Sequence, residues 1–382
     1  MPNKSVAACA IWRSSLNRHN TDVALGKHLE ASYRWICAAQ DASGNGGVAG
    51  WYDLRKGWAA SYPETTGYII PSLLAYADVA KEDDARRRAV RMADWEITIQ
   101  LPSGAVHSSL MGGASEPAVF NTGQVIAGWT TLHRATGKPC YAEAAGRAAN
   151  WLTGVQDGDG AWRKHLSRWT SSKVQAYNVR AAWALAQAGV VLGEPGWVDA
   201  ARRNCDWVMT QQDASGWFAN NVFRPGEDPL LHTICYVIEG LFGTGVLMGE
   251  ERYIESAGRA TEGLLGRFEK DRRTHGRYGP GWLPRASWRC LTGDAQFAGI
   301  LLRLAKYAGH NSRHKVAAEA ITRGVCGLQD MNPRRTPTYG GVPGSQPIWG
   351  EYLRYRYPNW AAKFHMDALL LLLHDVDPHN IR

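Results

Sequence analysis

The sequence predicts an all-α protein, a closed (α/α)6 toroid of six helical hairpins with an inner and an outer ring of helices. Three observations predict it. A phrase built on tryptophan and glutamine recurs every 56 to 60 residues. Helical patterns with one wet face alternate with patterns apolar on most sides, and the connections between them are short on one side and long on the other.

The phrase first appears as WICAAQDASG from Trp35, then as WEITIQLPSG from Trp95, WLTGVQDGDG from Trp151 and WVMTQQDASG from Trp207. Each copy places a glutamine five residues after the tryptophan. A degenerate fifth copy, LLGRFEKDRRTHG, starts at Leu264, and a sixth, GVCGLQDMN, starts at Gly324 with Gln329 in register. The tryptophan is expected to pack the end of a helix, and the glutamine to hydrogen-bond last-turn carbonyls or the next loop. The Asp-Gly turn leaves through positions that tolerate positive φ. On this reading the motif is architecture, not catalysis.

The segment before each tryptophan, as in DDARRRAVRMADWEITIQ or YAEAAGRAANWLTGVQ, repeats apolar residues at steps of three and four, which predicts an outer helix. The opening segment from about Asp22 to Gln40 supplies the first. The segments after the long loops are TTGYIIPSLLAYADVA, NTGQVIAGWTTLHRAT, VQAYNVRAAWALAQAG, LLHTICYVIEGLFGTG, LTGDAQFAGILLRLAKYAG and FHMDALLLLLHDV. They are apolar on most sides and belong inside. Six units without a distinct capping repeat favour closure over an open solenoid. One domain over 1–382 is expected, with 1–20 as an N-terminal extension.

Connections from inner to outer helix are short (KE, GK, LGEP, MGEE, GHNS), whereas those from outer to inner run roughly 15 to 30 residues, a length that points to function. The elaborated face therefore carries the inner-helix N-termini, whose free N–H groups and dipoles suit an anion at a funnel mouth.

Composition narrows the partners. Lys and Arg number 43 against 35 Asp and Glu, a formal charge of +8 that favours an acidic small molecule or polymer over nucleic acid. The longest basic run, Arg86-Arg87-Arg88, reads as the solvated face of a helix. Seven scattered cysteines with no C-x-x-C pair read as reduced, buried thiols. The N-terminal apolar patch, interrupted by Arg13, is too weak for a signal peptide, and no run approaches the ~20 apolar residues of a membrane span. A cytoplasmic location is expected, with no cofactor and no metal. Phosphate loops, Rossmann glycines and nucleophile elbows are missing. The oligomeric state stays open.

Seventeen tryptophans and fifteen tyrosines exceed what a core needs. The long loops hold Trp51, Tyr52, Trp58 and Tyr62, then Trp162 and Trp169, Trp217, Phe218 and Phe223, Tyr278, Trp282 and Trp288, and Tyr339, Trp349, Tyr352, Tyr355, Tyr357 and Trp360. Rings around a polar cleft stack on the C–H faces of sugars, and Trp58, Trp162, Trp217 and Trp288 are candidates for that contact. The alternative is that such rings pack the loops onto the barrel.

Polar groups gather where the inner helices begin. Glu64 has capping-box spacing from Ser61, so it either caps its helix or contacts a ligand. Asn121 and Gln124 begin the second inner helix, Lys173, Tyr177, Asn178 and Arg180 the third, His232 and Tyr236 the fourth, Asp294 and Gln296 the fifth, and His365 and Asp367 the sixth. Arg285, Arg289 and His275 sit in the fifth long loop; Lys56, His107 and Glu116 lie in the first two.

Glycoside hydrolysis wants two opposed carboxyl groups, and Glu64, Glu116, Glu239, Asp294, Glu351 and Asp367 form no obvious pair. Abstraction of the proton next to a uronate carboxylate wants a base and cationic neutralisers. Tyr177, Tyr236, His232 and Glu64 are the acid/base candidates. Arg180, Arg285 and Lys173 are the charge neutralisers, with Asn121, Gln124 and His365 as further ligand contacts.

The six hairpins, the W-x4-Q turns and the aromatic mouth loops resemble the (α/α)6-toroid superfamily of carbohydrate-active enzymes. That group includes polysaccharide lyases, glucuronyl C5-epimerases, unsaturated-uronate hydrolases and N-acylglucosamine 2-epimerases. The resemblance covers most of the chain as architecture, carries no catalytic signature residue by residue, and implies a sugar substrate. QDGDGAW also resembles the Q-x3-G-x-W repeat of squalene and triterpene cyclases through Gln156, Gly160 and Trp162. Their D-x-D-D acid is absent, and KEDDA falls on a short connection. Nor do Asp, Cys and His fall together at matching inner-helix starts, as in zinc-dependent α/α barrels. The expectation is an enzyme acting on an acidic, uronate-containing glycan as a lyase or C5-epimerase. The alternatives are a glycoside hydrolase using Glu64 and a second carboxylate, a non-catalytic glycan-binding protein, and a terpene-cyclase-like enzyme.

Overall fold

The structure, a computed structural model, describes residues 23–113, 116–309 and 311–379. The expected N-terminal extension, with Cys9 and Arg13, lies outside the described residues.

Among the described residues the chain forms twelve α-helices. The outer ring is α1 (Leu25–Ser43), α3 (Asp83–Ile99), α5 (Pro139–Gly154), α7 (Pro195–Met209), α9 (Glu251–Asp271) and α11 (Ser312–Cys326). The inner ring is α2 (Pro63–Ala80), α4 (Val119–Thr136), α6 (Val179–Leu192), α8 (Leu231–Met248), α10 (Leu291–Tyr307) and α12 (Asn359–His374). Each inner helix up to α10 packs on the outer helix that follows it, while α1 packs on α12. The inner helices touch in chain order and α12 returns to α2, so the ring is closed by the two ends of the chain. This is the expected (α/α)6 toroid.

The two helix types bury what their patterns dictate. On α9 the buried apolar residues Tyr253, Ile254, Ala257, Ala260, Leu264 and Leu265 make a single stripe at steps of three and four. On α8 every residue from Leu231 to Phe242 is buried. By length and composition α8 is apolar enough to cross a membrane, but 83% of it is buried inside the fold, as a core helix requires. Neighbouring inner helices meet through glycine: a Cβ on Gly67 would lie 2.6 Å from the Cα of Val125, and one on Gly123 2.5 Å from the Cα of Ala181.

The repeated glutamine ties three elements together. Through Nε2, Gln100, Gln156 and Gln212 each donate to the carbonyl of the turn glycine (Gly104, Gly160, Gly216) and to a carbonyl of the next outer helix (Ala144, Ala200, Ser256). Gln40 does the same with Gly46 and Arg88, and Gln329 with Gly340 and His28. The loop bond was expected. The bond to the neighbouring outer helix replaces the expected last-turn carbonyl, because the side chain points off the helix end. Gly104 sits at φ 90°, and its position would put a Cβ 2.5 Å from the carbonyl of Arg147, so both conformation and space demand glycine there.

The long loops carry short strands that no sequence alternation announces. β1 (Trp51–Asp53) pairs antiparallel with β2 (Gly57–Trp58) and with β7 (Arg356–Pro358), joining the first and last long loops. β3 (Tyr278–Gly279) pairs with β4 (Leu283–Pro284), and β5 (Arg289–Cys290) with β6 (Ser345–Gln346). The loops also engage the helix starts. The first N–H groups of α4, α8, α10 and α12 donate to the carbonyls of His165, Gly276, Gly344 and Gly50, so these four N–H groups are not free for an anion. The Ser61–Glu64 capping box does not form either, since Ser61 donates to Asn45 Oδ1. The six described cysteines are free: Cys205, Cys235, Cys290 and Cys326 are buried, Cys37 is partly so and Cys140 is exposed.

Candidate active site

A cavity of about 440 Å³ opens among the long loops over the inner-helix starts, a volume that suits a small ligand. Its floor is made by Glu64 from α2, Phe120 from α4, Tyr177 from a 3-10 turn ahead of α6, and His232, Thr233 and Tyr236 from α8. Trp51, Tyr62, Trp169, Phe223, Tyr352 and Trp360 wall it, and Arg224, Glu227, Arg277, Glu351, Arg354 and Arg356 line its outer part. The four residues expected to do acid/base work thus share one cavity, because each lies within the first turns of an inner helix or just before it.

Glu64 is buried, and the Tyr62 hydroxyl donates to its Oε2. Tyr62 in turn accepts from Trp169 Nε1 at 3.1 Å. Burial pushes the carboxyl up to about 7, against the opposing pull of the Tyr62 hydrogen bond and the Arg180 charge. It therefore holds a proton well above the usual carboxylate range.

His232 has Nδ1 2.5 Å from Gln296 Oε1. Gln296 Nε2 lies 3.1 Å from a carboxylate oxygen of Glu239, which can only accept, so the amide oxygen faces the imidazole. Nδ1 then carries the proton and Nε2 keeps the lone pair. Burial lowers the imidazole to about 4 and keeps it neutral.

The Tyr177 hydroxyl has no hydrogen-bond partner among the described residues, and the Tyr236 hydroxyl has the Tyr68 hydroxyl beside it. Burial, reinforced by Glu64, raises both phenols well above their ordinary value. They stay protonated, so of the acid/base roles expected of them the raised phenols suit a proton or hydrogen-bond donor better than a base. The Tyr236 ring stands 4.3 Å from the His232 ring and 6.5 Å from Tyr177.

Arg180 lies outside the cavity. It is 3% exposed, ion-paired with Glu239, and donates through Nε to Gln124 Oε1 at 2.9 Å. Glu239 also receives Arg303 at 3.2 Å, which reaches on to Asp377. Arg180 and Gln124 therefore belong to a buried network under the floor, with the guanidinium 5.2 Å beneath the Tyr236 ring. The expected carboxylate clamp is corrected, since that charge already has its carboxylate.

The other expected contacts are placed elsewhere too. Lys173 and Arg285 are exposed and do not line the cavity; Arg285 faces Asp228 at 3.7 Å. Asn121 is buried and latches the carbonyl of His107. His365 lies in the wall, with Nε2 3.5 Å from Cys326 Sγ. Trp58 packs on Trp35 and Tyr52, Trp162 donates to the carbonyl of Leu152, and Trp217 donates to that of Tyr278. Trp288 is buried against Gly276 and Gly350. All four rings pack loops onto the barrel, and the cyclase-like trio Gln156, Gly160 and Trp162 is likewise structural.

The cationic groups that do line the cavity are Arg224, Arg277, Arg354 and Arg356, four against the two rim acids Glu227 and Glu351. Arg277 sits 3.2 Å from Glu227 and 3.6 Å from Glu351. Arg356 pairs with Asp53 at 2.9 Å over the Trp51 ring. Arg354 forms no ion pair among the described residues. The only signal for two of them was compositional, two arginines among the tyrosines of EYLRYRYP; a turn with Leu353 and Tyr355 at positive φ, not strand alternation, precedes the strand that begins at Arg356. The mouth is positive and its floor offers a protonated carboxyl, a neutral imidazole and two phenol donors.

No protein-family model matches the chain, and a search of curated proteins finds no match. Solved structures do match. The chain is similar to an unsaturated glucuronyl hydrolase from Bacillus sp. GL1, described as responsible for the degradation of glycosaminoglycan, with 14% identity, 92% of this chain and 98% of that one covered, and a TM-score of 0.72. It is similar to a sugar epimerase from a ruminal bacterium at 11% identity, with 92% and 98% covered and a TM-score of 0.73. A cellobiose 2-epimerase from Bacillus thermoamylovorans B4167 matches at 11% identity, with 95% and 98% covered and a TM-score of 0.68. The likeness is one of fold, the (α/α)6 toroid of carbohydrate-active enzymes.

Proposed function

We propose that the cavity is the active site of an enzyme that moves a proton at carbon on an acidic sugar, as a uronate lyase or C5-epimerase does. The carrying observation is that a carboxyl held protonated into the neutral range and an imidazole held neutral line the same cavity. Two titratable groups pushed apart in this way divide the roles of acid and base.

In this reading His232 Nε2 removes the proton next to the sugar carboxylate, and the electron pair moves into that carboxylate as an enolate. Tyr177 and Tyr236 donate hydrogen bonds to the developing charge, and the rim arginines neutralise it. Glu64 gives its proton either to the leaving oxygen at C4, forming a C4–C5 double bond, or back to C5 from the opposite face. The sugar chemistry in the names of the structural neighbours supports a saccharide ligand, and the charged rim disfavours a hydrocarbon one.

The test is incubation with uronate oligosaccharides in D2O. Ultraviolet absorbance from a conjugated double bond is the lyase outcome. Deuterium at C5 of the intact sugar is the epimerase outcome. New reducing ends with neither change would replace both with a hydrolase using Glu64 as acid, a reading that the named glucuronyl hydrolases favour. Binding without any of these would leave a sugar-binding protein and overturn the catalytic reading.

A further inference from the structure

The seam where the last outer helix meets the first differs from the other seams of the ring. In four of them the repeated glutamine accepts through Oε1 from an arginine of the next outer helix: Arg88 to Gln40, Arg147 to Gln100, Arg203 to Gln156 and Arg259 to Gln212. At the closing seam Gln329 faces His28 Nδ1 instead, at 2.6 Å. Gln329 Nε2 donates to the carbonyls of His28 and Gly340 and to Ser32 Oγ, so its oxygen faces the ring and His28 carries its proton on Nδ1. The lone pair of His28 is thereby fixed on Nε2, which is buried and has no partner.

That imidazole faces two other soft donors. One ligand atom each from His28, Cys326 and His365 lie within 4.8 Å of one another, and all three residues are buried. Cys326 Sγ is 3.5 Å from His365 Nε2, and the remaining nitrogen of His365 has no partner either. With metal bonds of about 2.0 Å to nitrogen and 2.3 Å to sulfur, neighbouring donors on one ion stand roughly 3.3–3.7 Å apart. The Cys–His pair already has that spacing. The Gln329 carbonyl behind His28 is the outer partner that orients a metal-binding imidazole.

We propose that His28, Cys326 and His365 bind a thiophilic metal ion of the zinc or cuprous type, which clips α1, α11 and α12 together and locks the toroid closed. On binding, the Cys326 thiol releases its proton to water and the two imidazoles coordinate as neutral ligands. With Cu+ the site is then electrically neutral, and with Zn2+ it carries one positive charge, so burial favours Cu+. The ligands join chain positions 28 and 326, so the clip restricts the unfolded chain over nearly its whole length and raises thermal stability.

The test uses the full chain carrying Cys140→Ala, which removes the exposed thiol. Chelator-treated protein is incubated with Zn2+, or with Cu+ under reductant, desalted, and assayed for metal per chain and for Tm; Co2+ serves as the spectroscopic probe. About one ion per chain, a raised Tm and a thiolate-to-cobalt charge-transfer band are expected, with at least tenfold weaker binding in Cys326→Ser and His28→Gln and unchanged binding in Cys290→Ser. Which ion is retained distinguishes the two sources. Failure of the parent protein to retain either Zn2+ or Cu+, together with absence of the cobalt band, overturns the proposal whether or not the variants fold, as does equal retention by Cys326→Ser, which would assign the metal to adventitious donors. None of these readouts involves turnover, so the proposal stands or falls apart from the sugar chemistry.

Discussion

The imidazole of His232 holds its Nδ1 2.5 Å from Oε1 of Gln296, and the amide of Gln296 is itself oriented by Glu239. This relay fixes which nitrogen of His232 is free to take a proton. His232→Ala is expected to lower kcat by about 10²–10⁴-fold with Tm nearly unchanged. Gln296→Glu places a carboxylate against the imidazole, favours its charged form, and moves the acidic limb of the rate profile upward from about 4. Steady-state kinetics across pH checks both, and wild-type rates in His232→Ala would remove it from the mechanism.

The rate is expected to follow a bell. Below about 4 His232 gains a proton and stops acting as base, and above about 7 Glu64 loses the proton it must donate. Tyr62→Phe deletes a hydrogen bond that favours ionised Glu64, so the alkaline limb shifts to higher pH. A limb that stays in place would show that another group is the acid.

Arg180 and Arg354 are expected to fail in different assays. Arg180→Ala strips a buried partner from Glu239 and costs about 3–5 kcal/mol in urea unfolding. Arg354→Ala leaves stability within about 0.5 kcal/mol and raises KM several-fold for an acidic sugar but not for a neutral one. Equal KM changes for both sugars would count against a carboxylate ligand at the rim.

Glu96, on α3, is fully buried, and neither carboxylate oxygen has a partner among the described residues. Burial holds its carboxyl well above the ordinary range. The native state therefore keeps a proton that the unfolded chain releases above about 4.5, and stability contributed here is lost as pH rises from that point. Glu96→Met is expected to stabilise the protein by about 1–3 kcal/mol at pH 8 and by less at pH 5, measured by denaturant unfolding. No difference between the two pH values would contradict a protonated Glu96.

That Glu64, Tyr177, His232 and Tyr236 would line one cavity was legible because the repeat alone places inner-helix starts at one pole. Arg180 was misplaced for a local reason. The 3-10 turn over Ala176–Asn178 begins the third inner segment early, so Tyr177 takes the cavity position and Arg180 falls beneath the floor. Trp51 and Trp58 share one loop, yet only Trp51 lines the cavity, since Trp58 is drawn onto Trp35 and Tyr52.

By itself the sequence determined the twelve helices, their sorting into two rings and the glutamine turns, because helical periodicity and glycine geometry are written within a few residues of chain. Only the tertiary structure decided which rings and charges face the cavity and which bury one another. Those choices turn on partners hundreds of positions away, such as Asp53 with Arg356 or His28 with Gln329, and no local pattern encodes the meeting of two distant surfaces.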